Sequence, residues 1–532
     1  MKRKPWKSVY RNAVQLVCIG AITGIFVGLI VTAYNLLVGF AEDYARGAYS
    51  AVRSNLAWLP VFIVALTLAA FLVSAAMQAS KIIKGCGIPE TEGATRGIVR
   101  LRWWRDATLM FATTLLEVFM GLSIGAEGSS VLIGGAIGDG VGSSLKRNFM
   151  VRRYQVTGGA CAGLAVASNA PLTGMAFAFE EAHKRFTPEV FICAFSSVVF
   201  AMLTRALLFQ AFWMESINSF HSYSFSGVQL PLQHYWMVLV AGIVCGVLGV
   251  LFYKGVFLVR KLFRKIMLKN NFWRDFVKVS IAFLAGGCIA LIAVDTLGGG
   301  HHLISSLGSG AEHGLSGIFG LPVVWTLVII ALLKGLATCL NVGAGIPCGI
   351  FIPIIAIGAC VGGALNQAWL ALGMDGEYCD LMIMICMATF FATTVKAPIT
   401  SIIMICEFTW SFSPLLPVII GVSIGYIIGE VSRTDGIYDE LLEVYEQEEG
   451  LHEKLVQEKY VVRVEEGSLA EKREIRSVLW PTNARVTEIA RGEKAVVPEG
   501  ETVLCTGDVL TIICKTDDKE RIADDLKHIV EG

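Results

Sequence analysis

Six stretches of this chain contain no Asp, Glu, Lys or Arg over a length that crosses a bilayer: residues 12–41, 54–80, 216–253, 314–333, 335–374 and 408–429. About 20 apolar helical residues span a hydrocarbon core of about 30 Å, so each stretch holds at least one spanning helix, and several have room for two. Charged residues make up 17% of the sequence and mean hydropathy is +0.63, where a soluble domain carries about 25% charge. In lipid every backbone N–H and C=O must be paired inside the protein, and helices pair them segment by segment. The expected fold class is an all-α polytopic membrane protein.

The charges are unevenly placed. Of 88 charged residues, 34 fall in the last 92, from Leu441 to Gly532, a break that marks the boundary of a soluble tail. Lys2, Arg3, Lys4, Lys7 and Arg11 precede the first apolar stretch, which by the positive-inside tendency puts the N-terminus in the cytoplasm. That stretch is too long for a cleaved signal peptide. The expected location is the inner or plasma membrane, multi-pass, with both termini cytoplasmic. Net charge is 0, so no bulk field points to nucleic acid. Fourteen cysteines form no C-x-x-C pair, and neither a disulfide, a metal site nor a cofactor is expected. His301 and His302 follow Gly298, Gly299 and Gly300 and read as a solvated or interfacial loop rather than as ligands.

Two internal matches stand at nearly one offset. Ala170-Pro-Leu-Thr-Gly followed by Glu180 matches Ala397-Pro-Ile-Thr-Ser followed by Glu407, 227 positions on; the 125–134 segment matches 349–358 at 224. Two homologous halves follow, and repeat-built transporters bind substrate at the repeat interface, on broken helices. Gly and Pro interrupt apolar sequence at 85–93, 121–138 and 343–358. Gly-x-x-x-Gly pairs such as Gly134 and Gly138 are read as close helix packing.

A helix that begins inside the membrane leaves amide N–H groups unpaired and carries a partial positive charge. An anion is its natural partner. Gly349-Ile-Phe-Ile-Pro353 opens a helix in this way, with the amides of Ile350 and Phe351 free for a ligand. Such a site holds an ion without a full countercharge, so the ion can leave. Glu127 lies in an apolar segment, with no charged residue between it and Glu117 or Asp139. A mid-membrane carboxylate costs about 2.5–3.5 kcal/mol, which makes it either a functional group or a structural cap of the following helix. Ionised, Glu127 would occupy the amides that attract the anion; protonated, it would vacate them.

At these residues the chain resembles the CLC family of chloride channels and proton-coupled anion antiporters. Gly85-Cys-Gly-Ile-Pro-Glu is similar to the family's Gly-Ser-Gly-Ile-Pro-Glu, Gly125-Ala-Glu-Gly-Ser to Gly-Arg-Glu-Gly-Pro, and Gly349-Ile-Phe-Ile-Pro to Gly-x-Phe-x-Pro. The resemblance implies the CLC fold, with two inverted-topology repeats and broken helices, over residues 1–445. It implies Glu127 as the gating glutamate, and Cys86, Ile350, Phe351 and Tyr438 as anion-binding positions. Gly85, Gly87, Gly125, Gly128, Gly349 and Pro353 would support them. It implies Glu181 as the internal proton-transfer group, with a solvated charge beside His183, Lys184 and Arg185 as the other reading. Glu180 and Glu407 are read as structural, bonding to backbone near the broken helices. Cys86 replaces Ser, Ala126 replaces Arg and Ser129 replaces Pro; a thiol is a weaker donor than a hydroxyl, so anion preference stays open. Tyr438 weighs against the fluoride-exporting branch.

After a linker at 446–459, residues 460–532 alternate as short strands at 461–464, 485–491, 502–504 and 509–513, with a helix from about Asp518. This small α+β segment resembles the TrkA C-terminal (RCK-type) module, which implies either regulation by a ligand such as cyclic di-AMP, a cyclic dinucleotide, or simple stabilisation of a dimer. The combined reading is a homodimer in the lipid bilayer that exchanges chloride or a similar halide for protons. A passive, gated chloride channel of the same fold is the alternative. An RCK-regulated cation transporter lacks its carbonyl filter motif, and an intramembrane enzyme lacks His-Glu-x-x-His and Gly-x-Ser-x-Gly.

Overall fold

The computed structural model describes residues 6–531 apart from 148, 183, 185–186, 214–222, 224, 226–228, 309–320, 375, 451–455, 479, 482, 493 and 517–518. The chain before residue 214 forms α1 (Trp6–Ser54), α2 (Leu59–Ala79), α3 (Ile88–Arg96), α4 (Trp103–Phe119), α5 (Glu127–Ser144), α6 (Phe149–Ser168), α7 (Pro171–Phe177) and α8 (Pro188–Trp213). A second series follows: α9 (Tyr235–Arg264), α10 (Asn271–Ile292), α11 (His301–Gly308), α12 (Val323–Ala344), α13 (Phe351–Ala371), α14 (Cys379–Val395), α15 (Pro398–Thr409) and α16 (Leu415–Val431). The run α4 to α8 is repeated as α12 to α16, with Pro opening α7 and α15 alike. Among the described residues, eight helices are long and apolar enough to cross a membrane. The 12–41 stretch lies in one continuous helix, whereas 335–374 is broken between α12 and α13.

Burial separates two kinds of helix. On α2, Val61, Val64 and Leu68 point outward, where lipid rather than water meets them. The central α5, α6, α13 and α14 are buried over most of their length. Their glycines explain how. A Cβ on Gly134 would stand 2.2 Å from the Gly159 carbonyl oxygen, and one on Gly138 2.0 Å from that of Gln155. These glycines let two backbones touch, as read from the sequence, and in lipid such close contact is what holds helices together.

α17 (Ile437–Glu449) leaves the membrane bundle. Beyond it lie β1 (Val456–Arg463), β2 (Ala484–Arg491), β3 (Lys494–Val496) and β4 (Val509–Thr516), and then α18 (Lys519–Val530). The sheet order is β1-β4-β2-β3, all antiparallel. Two sequence expectations change here. The short strand is at Lys494–Val496, closing a hairpin with β2. Residues 502–504 instead pair with 472–475, outside the sheet, because Leu504 is drawn into the core beneath it. Asp518 lies outside the described residues. Met150 of α6 joins the tail's apolar core, and Arg473 of the tail pairs with Glu189 of α8.

Candidate functional site

Three interrupted segments converge. The Gly125 amide donates to the Gly349 carbonyl at 2.8 Å, as an isolated antiparallel bridge, and the Cys348 amide donates to the Gly85 carbonyl at 3.0 Å. The repeat-related breaks thus lie face to face, with the first Gly-rich break beside them. The N-termini of α3, α5 and α13 all start from this junction, each with leading amides that have no intrahelical acceptor. Their dipole ends sum to a positive potential without a formal charge.

Glycine is required for the approach. Gly87 has φ +81, and a Cβ there would stand 2.2 Å from the Gly128 carbonyl oxygen; a Cβ on Gly128 would stand 2.2 Å from that of Cys86. A Cβ on Gly349 would meet the Gly125 oxygen at 2.3 Å, and Pro353 closes on Gly125. Gly85 lies against Glu90, whose carboxylate accepts from the Gly87 amide at 2.8 Å. Cys86, Ile350 and Phe351 are buried at the junction, with Cys348 against Cys86. Tyr438, near the start of α17, is buried within electrostatic reach of Cys86, Cys348, Glu127 and Glu181. No described group hydrogen-bonds its hydroxyl.

Glu127 opens α5 and is 1% exposed. Its carboxyl folds back toward Gly125, with one oxygen 3.1 Å from His301 Nε2 and the other buried with no hydrogen-bond partner among the described residues. Ser129, at the position of the family's Pro, ties the same helix start to α4 through a 3.0 Å contact with the Thr114 hydroxyl. Glu181 sits in a single π-helical turn, Ala178–Ala182, and is 3% exposed. It is therefore not a solvated helix-end charge, and π-turns are frequent at functional sites. Beside it, Lys184 and Arg96 pair with Glu92 and Asp439. His183 and Arg185 lie outside the described residues.

Three groups escaped the sequence reading. His301, read as part of a solvated or interfacial loop, keeps a partly exposed side chain but begins α11 and reaches Glu127, because the preceding glycines turn the chain back over the site. Lys334 of α12 is 0% exposed, donating to the Gly298 carbonyl at 3.0 Å and to the Thr296 carbonyl and Ser123 hydroxyl at 3.3 Å. Its signal was available, since it alone divides the charge-free stretches 314–333 and 335–374. Glu117 of α4 is fully buried with neither carboxyl oxygen bonded by a described group.

Residues 67–430 match the family model described as voltage gated chloride channel, and residues 460–527 match the TrkA-C domain. The H(+)/Cl(-) exchange transporter ClcA of Vibrio vulnificus (strain YJ016) is 30% identical over 445 residues, covering 81% of this chain and 89% of the relative. The transporter of the same name from Yersinia pseudotuberculosis serotype IB (strain PB1/+) is 28% identical over 415 residues, covering 76% and 82%. Among solved structures, a slow cyanobacterial Cl−/H+ antiporter superposes with a TM-score of 0.72 at 25% identity, covering 82% of this chain and 99% of the other. A CLC-type fluoride/proton antiporter gives 0.62 at 19%, covering 81% and 98%, a likeness of fold.

Proposed function

Because this chain belongs to the voltage gated chloride channel family, known as CLC, we propose that it exchanges chloride for protons across the plasma membrane, with Glu127 as the gate. The observation that carries this reading is the Gly125–Gly349 bridge. It sets the amide-bearing starts of α5 and α13 against one another, with the Glu127 carboxyl at their junction. The anion rests on the amides around Ile350 and Phe351, with Cys86 and Tyr438 beside it. Ionised Glu127 competes for that place; a proton on its carboxyl removes the charge and releases the gate. Glu181, buried near Tyr438 and flanked by Lys184 and Asp439, passes the proton toward the cytoplasm.

The test is flux in proteoliposomes under a chloride gradient, with pH recorded simultaneously. Wild-type protein moves protons against chloride, and Glu127→Gln conducts chloride without protons. Coupling that survives in Glu127→Gln removes Glu127 from the role; chloride flux with no proton movement in the wild type assigns a passive channel.

The tail belongs to this proposal as a regulatory module in a homodimer, with both termini in the cytoplasm. A cavity of about 590 Å³ between tail and membrane domain is lined by Arg147, Arg152 and Arg153 on one side and Asp524, Asp525 and His528 on the other. That basic wall suits a phosphate-bearing ligand such as a cyclic dinucleotide. A chloride flux unchanged by added cyclic di-AMP leaves the tail with dimer stabilisation.

A further inference from the structure

Resting on the reading of Glu127 as the gate, we propose that His301 is a pH-sensing latch: a positioning residue that holds the gate carboxyl and sets the acidity at which it lets go. The imidazole is built into place. Its Nε2 lies 3.1 Å from Glu127 Oε1, and its Nδ1 lies 2.7 Å from the Tyr223 hydroxyl. Tyr223 stacks along the ring at 23° and is tied by its own amide to the Phe408 carbonyl at 3.1 Å. The glycine arm behind His301 is pinned twice: Glu42 accepts from the Gly299 amide at 3.0 Å, and Lys334 donates to the Gly298 carbonyl at 3.0 Å. Gly298 and Gly300 hold φ +59 and +111, where a side chain would be strained.

The exposures of the two partners differ. Glu127 is sealed, whereas the His301 side chain is 39% exposed, on the face away from the tail, since α5 runs from Glu127 to Ser144 before the chain reaches the tail-side residues Arg147 and Arg152. The ring thus meets water while touching a carboxyl that water does not reach. Among the described residues, the charged and titratable groups around it include Glu127 from α5, Glu42 from α1, Lys334 from α12 and the Tyr223 phenol. His302 turns away to Asp43, 3.3 Å distant.

Histidine changes charge near pH 6.5 in the absence of perturbation. As imidazolium it donates from both nitrogens, and its charge-assisted bond holds the carboxylate in place. As neutral imidazole it keeps at most an ordinary hydrogen bond to Glu127. The gate therefore answers to two titrations, its own and that of the ring.

The experiment measures chloride flux against pH on the His301 side for wild type, His301→Gln, His301→Leu and Tyr223→Phe. Gln keeps a donor without a charge, Leu removes both, and Phe removes the hydroxyl that aims the ring. With the cation gone, activation by acid begins earlier, so the midpoint moves up by about one pH unit in His301→Leu, the size expected for losing one opposite charge at this range. His301→Gln falls between Leu and wild type, and Tyr223→Phe shifts the same way by less. In a Glu127→Gln background His301→Leu moves nothing. If Glu127→Gln is uncoupled but the His301→Gln and His301→Leu profiles overlie the wild type, the latch is wrong and the gate stands. If Glu127→Gln remains coupled, both readings fall.

Discussion

Glu180 and Glu407 cap one another's helices. Glu407, near the end of α15, accepts from the Leu172 and Thr173 amides at 2.7 Å, at the start of α7. Glu180, in the turn that ends α7, accepts from the Ile399 and Thr400 amides at 2.9 and 2.6 Å, at the start of α15. The repeat thus stabilises itself, with each half supplying the anion for the other's helix N-terminus.

Alanine at either glutamate removes a cap worth about 1 kcal/mol. Ile399 and Glu407 stand eight residues apart on α15, which puts the two caps about 12 Å apart, so the losses should add. Thermal unfolding in detergent checks this; a double variant no weaker than the singles would mean the caps act as one unit.

Gly128→Ala drives a methyl into the Cys86 carbonyl, 2.2 Å away. We expect chloride flux to fall at least tenfold, about 1.4 kcal/mol on the barrier. Gly39→Ala is the control, with open space around its Cβ. Equal flux from both variants would show that the junction gives way easily.

Glu181→Gln keeps the shape of a buried side chain and removes its proton. Proton flux should drop about tenfold or more while chloride flux persists. Parallel loss of both would make Glu181 a structural residue.

Cys86→Ser exchanges a weak donor for a stronger one. A gain of about 1 kcal/mol tightens chloride binding roughly fivefold, read by calorimetry or by the half-saturation of flux. Unchanged affinity would mean that residue 86 meets the ion only through its backbone.

In the tail, the Lys472 ammonium, the Gly467 amide at 2.9 Å and the Thr506 hydroxyl hold the Glu471 carboxyl down at about 2, below the value of about 4.3 for a free glutamate. A carboxyl lowered by folding contributes stability fully above the free value and loses it as pH falls through the folded one. Hydrogen-exchange protection in residues 464–474 of the full chain, corrected for the intrinsic exchange rate at each pH, should therefore fall between about pH 4 and 2. Glu471→Gln should exchange faster at pH 7 and respond less to acid.

Much of this was legible in the linear chain, because the relevant physics is local. Uninterrupted apolar runs imply helices in lipid, glycine and proline imply where a helix breaks, and a shift from sparse to dense charge implies where the membrane part ends. The repeat at 170 and 397 even anticipated that Glu180 and Glu407 share one job.

Burial and partner choice are not local, and the tertiary structure alone decided them. Nothing in the spacing of Glu181 says that it lies in a π-turn and out of solvent, and no pattern says that Leu504 pulls its segment out of the sheet. His301 lies 174 positions from Glu127, and only the Gly298–Gly300 bend, pinned from α1 and α12, brings the imidazole onto the carboxyl. Composition selects the solvent and the helices; contact between residues far apart in the chain depends on how those helices pack, which no single segment encodes.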